Sequence, residues 1–159
     1  FSNEANLGKS KALEAAEQMS KINSEITLIA IEDLLVEENA AAIIEGCDAV
    51  VDALDNIDAR FALEKACEEL EIPLVHGAIS GWNGQVGIVM PGSRMLTMLY
   101  GESGSGEDSP TNPSFTPAVI SAMEAAETVK LLLDKEDALK NRLLMVDLLS
   151  HDYEVIDFD

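Results

Sequence analysis

Along the chain the spacing of apolar positions changes repeatedly, and each change predicts an element. Within 10–22 (SKALEAAEQMSKI), Leu13, Ala16, Met19 and Ile22 recur every three residues, the stripe of an amphipathic helix. The run ITLIAI at 26–31 suits a short strand buried on both faces. Helical spacing returns over 36–45, and Ala49-Val50-Val51 predicts a second buried strand. A further helix is expected over 57–70 (IDARFALEKACEEL), followed by a third strand at Ile72-Pro73-Leu74-Val75. Strands alternating with helices of this length argue for βαβ units, a parallel sheet and helices on both of its faces.

The rhythm then breaks. Residues 77–84 read as a glycine-punctuated loop. The run QVGIVM at 85–90 is a strand too close to its predecessor for a helical crossover, and so antiparallel. Residues 91–117 lose all periodicity; GESGSGEDSPTNPSFTP is rich in Gly, Ser, Pro and acids and predicts a long flexible crossover loop. Pro117 stands just ahead of a strongly helical stretch, 118–133, and two strands at 143–148 and 153–158 close the chain.

Composition narrows the class. The 159 residues suit one domain with a real core, and no apolar run approaches the roughly 20 residues that cross a bilayer. Phe1 stands where an initiator Met would, with no basic-plus-apolar leader behind it, so a fragment or processed form of a soluble protein is expected. Thirty acids against ten bases give a formal charge of −20, a field that repels nucleic-acid phosphates and admits a basic protein surface. Cys47 and Cys67 form no CxxC pair, and with His76 and His151 they show no metal-ligand spacing; both cysteines read as core packing in a reducing cytoplasm.

Two stretches carry candidate chemistry. NEANLGKS at 3–10 mimics the end of a phosphate loop, but Asn3 stands where its first glycine belongs, and that reading is rejected. Lys9 and Lys11 nevertheless sit near a helix start, where the macrodipole disfavours cations. A bound anion would relieve that conflict, and so would side chains extended into water. In VVDALDNIDAR, 50–60, Asp52 falls at the carboxyl end of a strand and Asp55 opens the next helix. Ligands of open α/β sheets bind there, yet an Asp at a helix start is as well explained by capping. His76, after a strand, reads as polar lining without a nucleophile beside it.

Taken in order, these pieces resemble the ThiF/MoeB/HesA family, relatives of the ubiquitin-activating enzymes. The resemblance runs from Leu7 to about Asp147 through Gly8-Lys9-Ser10-Lys11-Ala12, Ile22-Asn23, Val50-Val51-Asp52-Ala53-Leu54-Asp55-Asn56 with Arg60, Pro73-Leu74-Val75-His76-Gly77-Ala78, Gly84-Gln85-Val86, and Thr116-Pro117 opening a helix with Glu127 and Lys130. It implies a Rossmann-like α/β fold: a mostly parallel sheet, helices on both faces and added antiparallel strands toward the C-terminus. It implies a single adenylation domain over residues 1–159 that lacks its amino-terminal nucleotide-loop segment, the stretch where the family carries a glycine-rich loop. The activity it implies is ATP-dependent adenylation of the C-terminal Gly-Gly carboxylate of a small ubiquitin-like or sulfur-carrier protein. Such a protein is a cytoplasmic adenylyltransferase and homodimer serving sulfur transfer in cofactor biosynthesis, inactive as this fragment alone.

The resemblance assigns Lys11 to the ATP phosphates, Asp55 to the Mg²⁺ and adenylation centre, Asn56 to the nucleotide and Leu34 to the adenine side. Arg60 matches a recurring family arginine without a firm role, Asp58 is left to capping and Asp52 to structure. Many members bind zinc through two CxxC pairs; these are absent, so no zinc is expected. Residues 91–117 hold no cysteine, so adenylation without a covalent enzyme–substrate sulfur link is expected. Two alternatives stand beside this reading: activation of a small molecule or modified tRNA on the same fold, and a non-catalytic scaffold subunit.

Overall fold

Asn56 sets the start of the helix that organises the larger part of the molecule. Its Oδ1 accepts the Ala59 N–H at 2.8 Å, satisfying one of the backbone donors that a helix start leaves orphaned. The computed structural model describes residues 3–101 and 111–158, and the chain divides into two units, 1–34 and 35–159.

In the first unit a short 3-10 turn at Glu4–Asn6 leads to α1, Lys11–Ile22. Ser10 is the N-cap, and Asn23 closes the other end by donating its backbone N–H to the Met19 carbonyl at 3.0 Å. Residues 26–31, expected as a strand, have no strand assignment; Ile26, Ile29 and Ile31 are exposed. A strand exists only through its ladder, and this run has no ladder partner among the described residues.

The second unit contains α2 (Glu37–Ile44), β1 (Val50–Asp52), α3 (Ile57–Glu69), β2 (Leu74–Ser80), β3 (Asn83–Val89), α4 (Met95–Tyr100), α5 (Phe115–Leu132), β4 (Arg142–Asp147) and β5 (Asp152–Asp157). Its sheet has the order β1-β2-β3-β4-β5. Only β1 and β2 run parallel, with Asp52 opposite His76; the other three pairings are antiparallel. The sheet is thus mixed α/β, and the expectation of a mostly parallel sheet fails among the described strands. The expected strand at 26–31 is missing, and the carboxyl half of the chain builds a meander of hairpins.

Helices do cover both faces. The side chains of Val50, Leu74, Val89 and Leu143 pack with Ala40, Leu63, Ala66 and Met95 on one face, under α2, α3 and α4. Val86 and Val146 pack with Ile120 of α5 on the other. On α3, Ala59, Ala62, Leu63, Ala66 and Cys67 follow the i, i+3, i+4, i+7, i+8 spacing of a buried stripe. Arg60 and Glu64 lie one turn apart beside that stripe and are buried with it.

The predicted loop at 77–84 is a hairpin, with Ser80 opposite Asn83 across a two-residue turn. Gly81, at φ 59°, takes the first central position of that turn, where a positive φ is wanted. Gly77 and Gly84 lie inside the strands because α5 comes so close. A Cβ on Gly77 would stand 2.3 Å from the Glu124 carboxyl carbon, and one on Gly84 would stand 2.3 Å from Ile120 Cδ1. Within the expected crossover loop, residues 95–100 form α4, and α5 begins at Phe115, three residues earlier than expected, with Pro117 inside its first turn. The flexibility expected of 102–110 lies outside the described residues. Cys67 is buried, as expected, and burial pushes its thiol up to about 12; Cys47 is exposed and does not pack in the core.

Candidate functional site

The carboxyl end of β1 gathers a buried polar network that continuous apolar packing would not predict. Asp52 is fully buried and accepts three hydrogen bonds: Leu54 N–H at 2.8 Å, Arg60 Nε at 3.0 Å and His76 Nδ1 at 2.7 Å. Arg60 also donates from Nη2 to the carbonyls of Leu54 and Gly77, the latter at 3.2 Å. Its guanidinium carbon lies 5.9 Å from the Tyr100 ring centroid. Because Asp52 Oδ2 is an acceptor, the imidazole donates to it from Nδ1. Gln85 Nε2 lies 3.0 Å from His76 Nε2 and the Tyr100 hydroxyl 3.2 Å. Burial raises the Tyr100 hydroxyl above its ordinary range, against the lowering influence of Arg60.

This network corrects the reading of His76. It is not lining at the sheet edge; it lies inside β2 and is wholly buried. The structural assignment of Asp52 fits its geometry. Arg60, which carried no role, is the residue that ties β1, β2 and the following loop together. Alternation on β2 places Leu74 and His76 on one face, but no local signal in the sequence marks the histidine as Asp52's partner 24 positions away.

In front of the network stand Asp55 and Asn56, both exposed. Asp55 makes no hydrogen bond or ion pair with the described residues, so its carboxylate is available to solvent or a ligand. The capping alternative is resolved: Asn56 is the cap, and Asp58 is an exposed residue of the first helical turn, so the capping role left to Asp58 belongs to Asn56. Capping engages Asn56 Oδ1 and leaves its amide nitrogen available.

In the first unit, Lys9 pairs with Glu14 at 3.1 Å. A hydrogen bond from Asn6, and then Lys9, holds the Glu14 carboxyl below its ordinary range. Lys11 is the first residue of α1, is exposed and has no ion pair among the described residues. Leu34 is exposed. Lys11 and Leu34 belong to one unit, Asp55, Asn56 and Arg60 to the other.

Several residues that carried the family resemblance turn out to hold the scaffold. Thr116 Oγ1 donates to the Gly81 carbonyl at 2.8 Å, fixing the start of α5 to the hairpin turn. Glu127 binds Lys130 at 2.7 Å and accepts the Leu139 N–H at 2.8 Å. Opposite the network, on the α5 face, Glu124 is buried with Oε1 unpartnered among the described residues. Burial, with Asp52 adding to it and Arg60 opposing, pushes its carboxyl up to about 7.

Residues present here fit an ATP–Mg²⁺ site of one kind. Among the described residues no group of three or more His, Cys, Asp or Glu side chains could hold a metal ion. A single free carboxylate at Asp55 is what Mg²⁺ uses when phosphates supply most of its other ligands.

The fold and site define an α/β protein with a buried polar network at the carboxyl end of a strand. The chain matches the ThiF family over residues 1–158 and belongs to that family. It is 32% identical to the SAMP-activating enzyme E1 of Haloferax volcanii over 157 residues, covering 96% of this chain and 58% of that protein. It is 34% identical to the adenylyltransferase and sulfurtransferase MOCS3 of Anopheles gambiae, covering 91% of this chain and 34% of that one. The molybdopterin-synthase adenylyltransferase of Salmonella typhimurium is 27% identical, with 91% and 60% covered. This chain therefore spans between a third and three-fifths of the length of these relatives. Among solved structures, PaaA aligns with TM-score 0.76 at 10% identity over 99% of this chain and 58% of its own. E. coli MccB with ATP aligns at 0.73 and 18% identity, over 99% and 50%. These two likenesses establish the fold. No helix among the described residues is long and apolar enough to cross a membrane.

Proposed function

We propose that the full-length protein adenylates the C-terminal carboxylate of a small ubiquitin-like or sulfur-carrier protein ending in Gly-Gly, using ATP. A carboxylate oxygen of the carrier attacks the α-phosphorus of ATP, pyrophosphate leaves, and an acyl-adenylate remains. No protein nucleophile is needed, because the substrate supplies one. Asp55 would hold Mg²⁺, which when bound would offset the phosphate charge that opposes attack.

The observation that carries this reading is the exposed carboxylate of Asp55, which has no partner among the described residues and directly follows Leu54, whose backbone the buried network at the carboxyl end of β1 holds. Asp55 is the residue for Mg²⁺ and the adenylation centre, and the Asn56 amide nitrogen donates to the nucleotide. Lys11, a cation at a helix start with no ion pair among the described residues, binds the phosphates. Leu34 is assigned to the adenine side on resemblance alone. Cytoplasmic residence, a homodimer and delivery of sulfur for cofactor synthesis belong to the same proposal. The charge of −20 speaks against a modified tRNA as the substrate.

The test is ATP–pyrophosphate exchange by the full-length protein with a carrier ending in Gly-Gly. Exchange should depend on the carrier and fall at least about a hundredfold in Asp55→Ala, the scale of removing one transition-state contact. Exchange absent with every carrier tried, together with unchanged nucleotide binding in Asp55→Ala, would overturn the reading.

A further inference from the structure

Helix α4 is fixed at both ends by side chains that reach it from elsewhere. At its start, Glu64 of α3 accepts the Leu96 N–H at 2.7 Å and the Thr97 hydroxyl at 2.9 Å. At its end, the Tyr100 hydroxyl lies 2.7 Å from Gln85 Nε2, 3.2 Å from His76 Nε2 and 3.5 Å from Arg60 Nη1. The hydroxyl accepts from Gln85 and Arg60, and Gln85 Nε2, at 3.0 Å, meets the same His76 nitrogen.

The same partners continue to the candidate site. His76 and Arg60 both bind Asp52 Oδ2, Asp52 Oδ1 accepts the Leu54 N–H, and Arg60 Nη2 donates to the Leu54 carbonyl. The Leu54 carbonyl is thus held by Arg60, which meets Tyr100, and the Leu54 N–H by Asp52, which reaches Tyr100 through His76. One route runs from Tyr100 through Arg60 to Leu54, the other through His76 and Asp52. In a buried network of this kind, a bond lost at one end weakens its neighbours.

We propose that Tyr100 and His76 are positioning residues for Asp55, tying the end of α4 to the loop that carries Asp55 and Asn56. They act through Asp52 and Arg60 and touch no substrate. The inference rests on the assignment of Asp55 made above. It adds that an adjustment of α4 is transmitted to the adenylation loop.

The experiment compares full-length wild type, Tyr100→Phe and Asp55→Ala. Tyr100→Phe removes only the hydroxyl, and the ring keeps its packing. Amide hydrogen exchange should rise about tenfold at Leu54, whose N–H Asp52 holds, the equivalent of one lost hydrogen bond, while β4 and β5 exchange as in wild type. In parallel, the Kd for ATP is measured with Mg²⁺ and with EDTA. The ratio of the two should fall severalfold in Tyr100→Phe and approach one in Asp55→Ala, with the EDTA value little changed in both. A wild-type ratio in Asp55→Ala overturns the assignment of Asp55 itself. A reduced ratio in Asp55→Ala together with wild-type exchange and a wild-type ratio in Tyr100→Phe overturns the positioning role alone. Faster exchange spread evenly over the whole molecule also overturns it, because a general loss of stability would then explain the result.

Discussion

Two buried carboxylates, Asp52 and Glu124, lie on opposite sides of β2 and have opposite fates. Asp52 accepts from a backbone amide, a guanidinium and an imidazole. Glu124 comes up against the bare backbone of Gly77 with one oxygen unpartnered among the described residues. Burial is similar; partners are not. A buried acid with partners organises its surroundings, whereas Glu124, with Oε1 unpartnered among the described residues, keeps its proton up to about pH 7.

The comparison is broken most severely by taking Asp52's partner away. Arg60→Ala should destabilise the protein by about 3–5 kcal/mol, because it leaves a buried acid short of its ion pair, and denaturant unfolding at neutral pH would show it. An unchanged midpoint would mean that the ion pair contributes nothing. Next comes Glu124, whose carboxyl rises from 4.5 unfolded to about 7 folded. The folded state then binds the proton more tightly, so stability is full below pH 4.5 and declines as pH climbs toward about 7. Above that it stays lower by about 3 kcal/mol. Glu124→Gln should flatten this slope, which unfolding curves at pH 5 and pH 8 would reveal.

A smaller effect is expected at Gly77. Its replacement by Ala should cost about 1–3 kcal/mol through the clash with Glu124, and much of that cost should vanish in a Glu124→Ala background. Additive costs in the double-mutant cycle would show that the two residues do not interact. Smallest is Asn56→Ala, expected to cost about 1 kcal/mol by loss of the α3 cap. Measured by thermal unfolding without nucleotide, it separates the capping role of Asn56 from any role in binding.

Much of this was legible in the sequence where the interaction is local. The helix over 57–70 was readable because its stripe has a fixed period and its cap stands just ahead of it. The strand at 49–51 was readable because a short apolar run between helices has few other uses. The hairpin was not. Gly77 and Gly84 look like loop residues, and only the approach of Glu124 and Ile120, some forty positions onward, explains them as strand residues. Helix α4 escaped notice because six residues are too few to show a period, and its start is capped by Glu64 from another helix.

At the candidate site the division is the same. The order of motifs identified the family and singled out Asp55, Asn56 and Lys11, since these depend on residue type and position along the chain. Sequence by itself determined the longer helices, the α/β class and the acid that follows the strand. Only the tertiary structure decided that Asp52, Arg60, His76, Gln85 and Tyr100 form one network and that Glu124 lacks a place in it. Hydrogen bonds between residues distant in sequence obey no period. They arise where the sheet register sets Asp52 opposite His76 and where α3 and α4 bring Arg60 and Tyr100 to the same strand end.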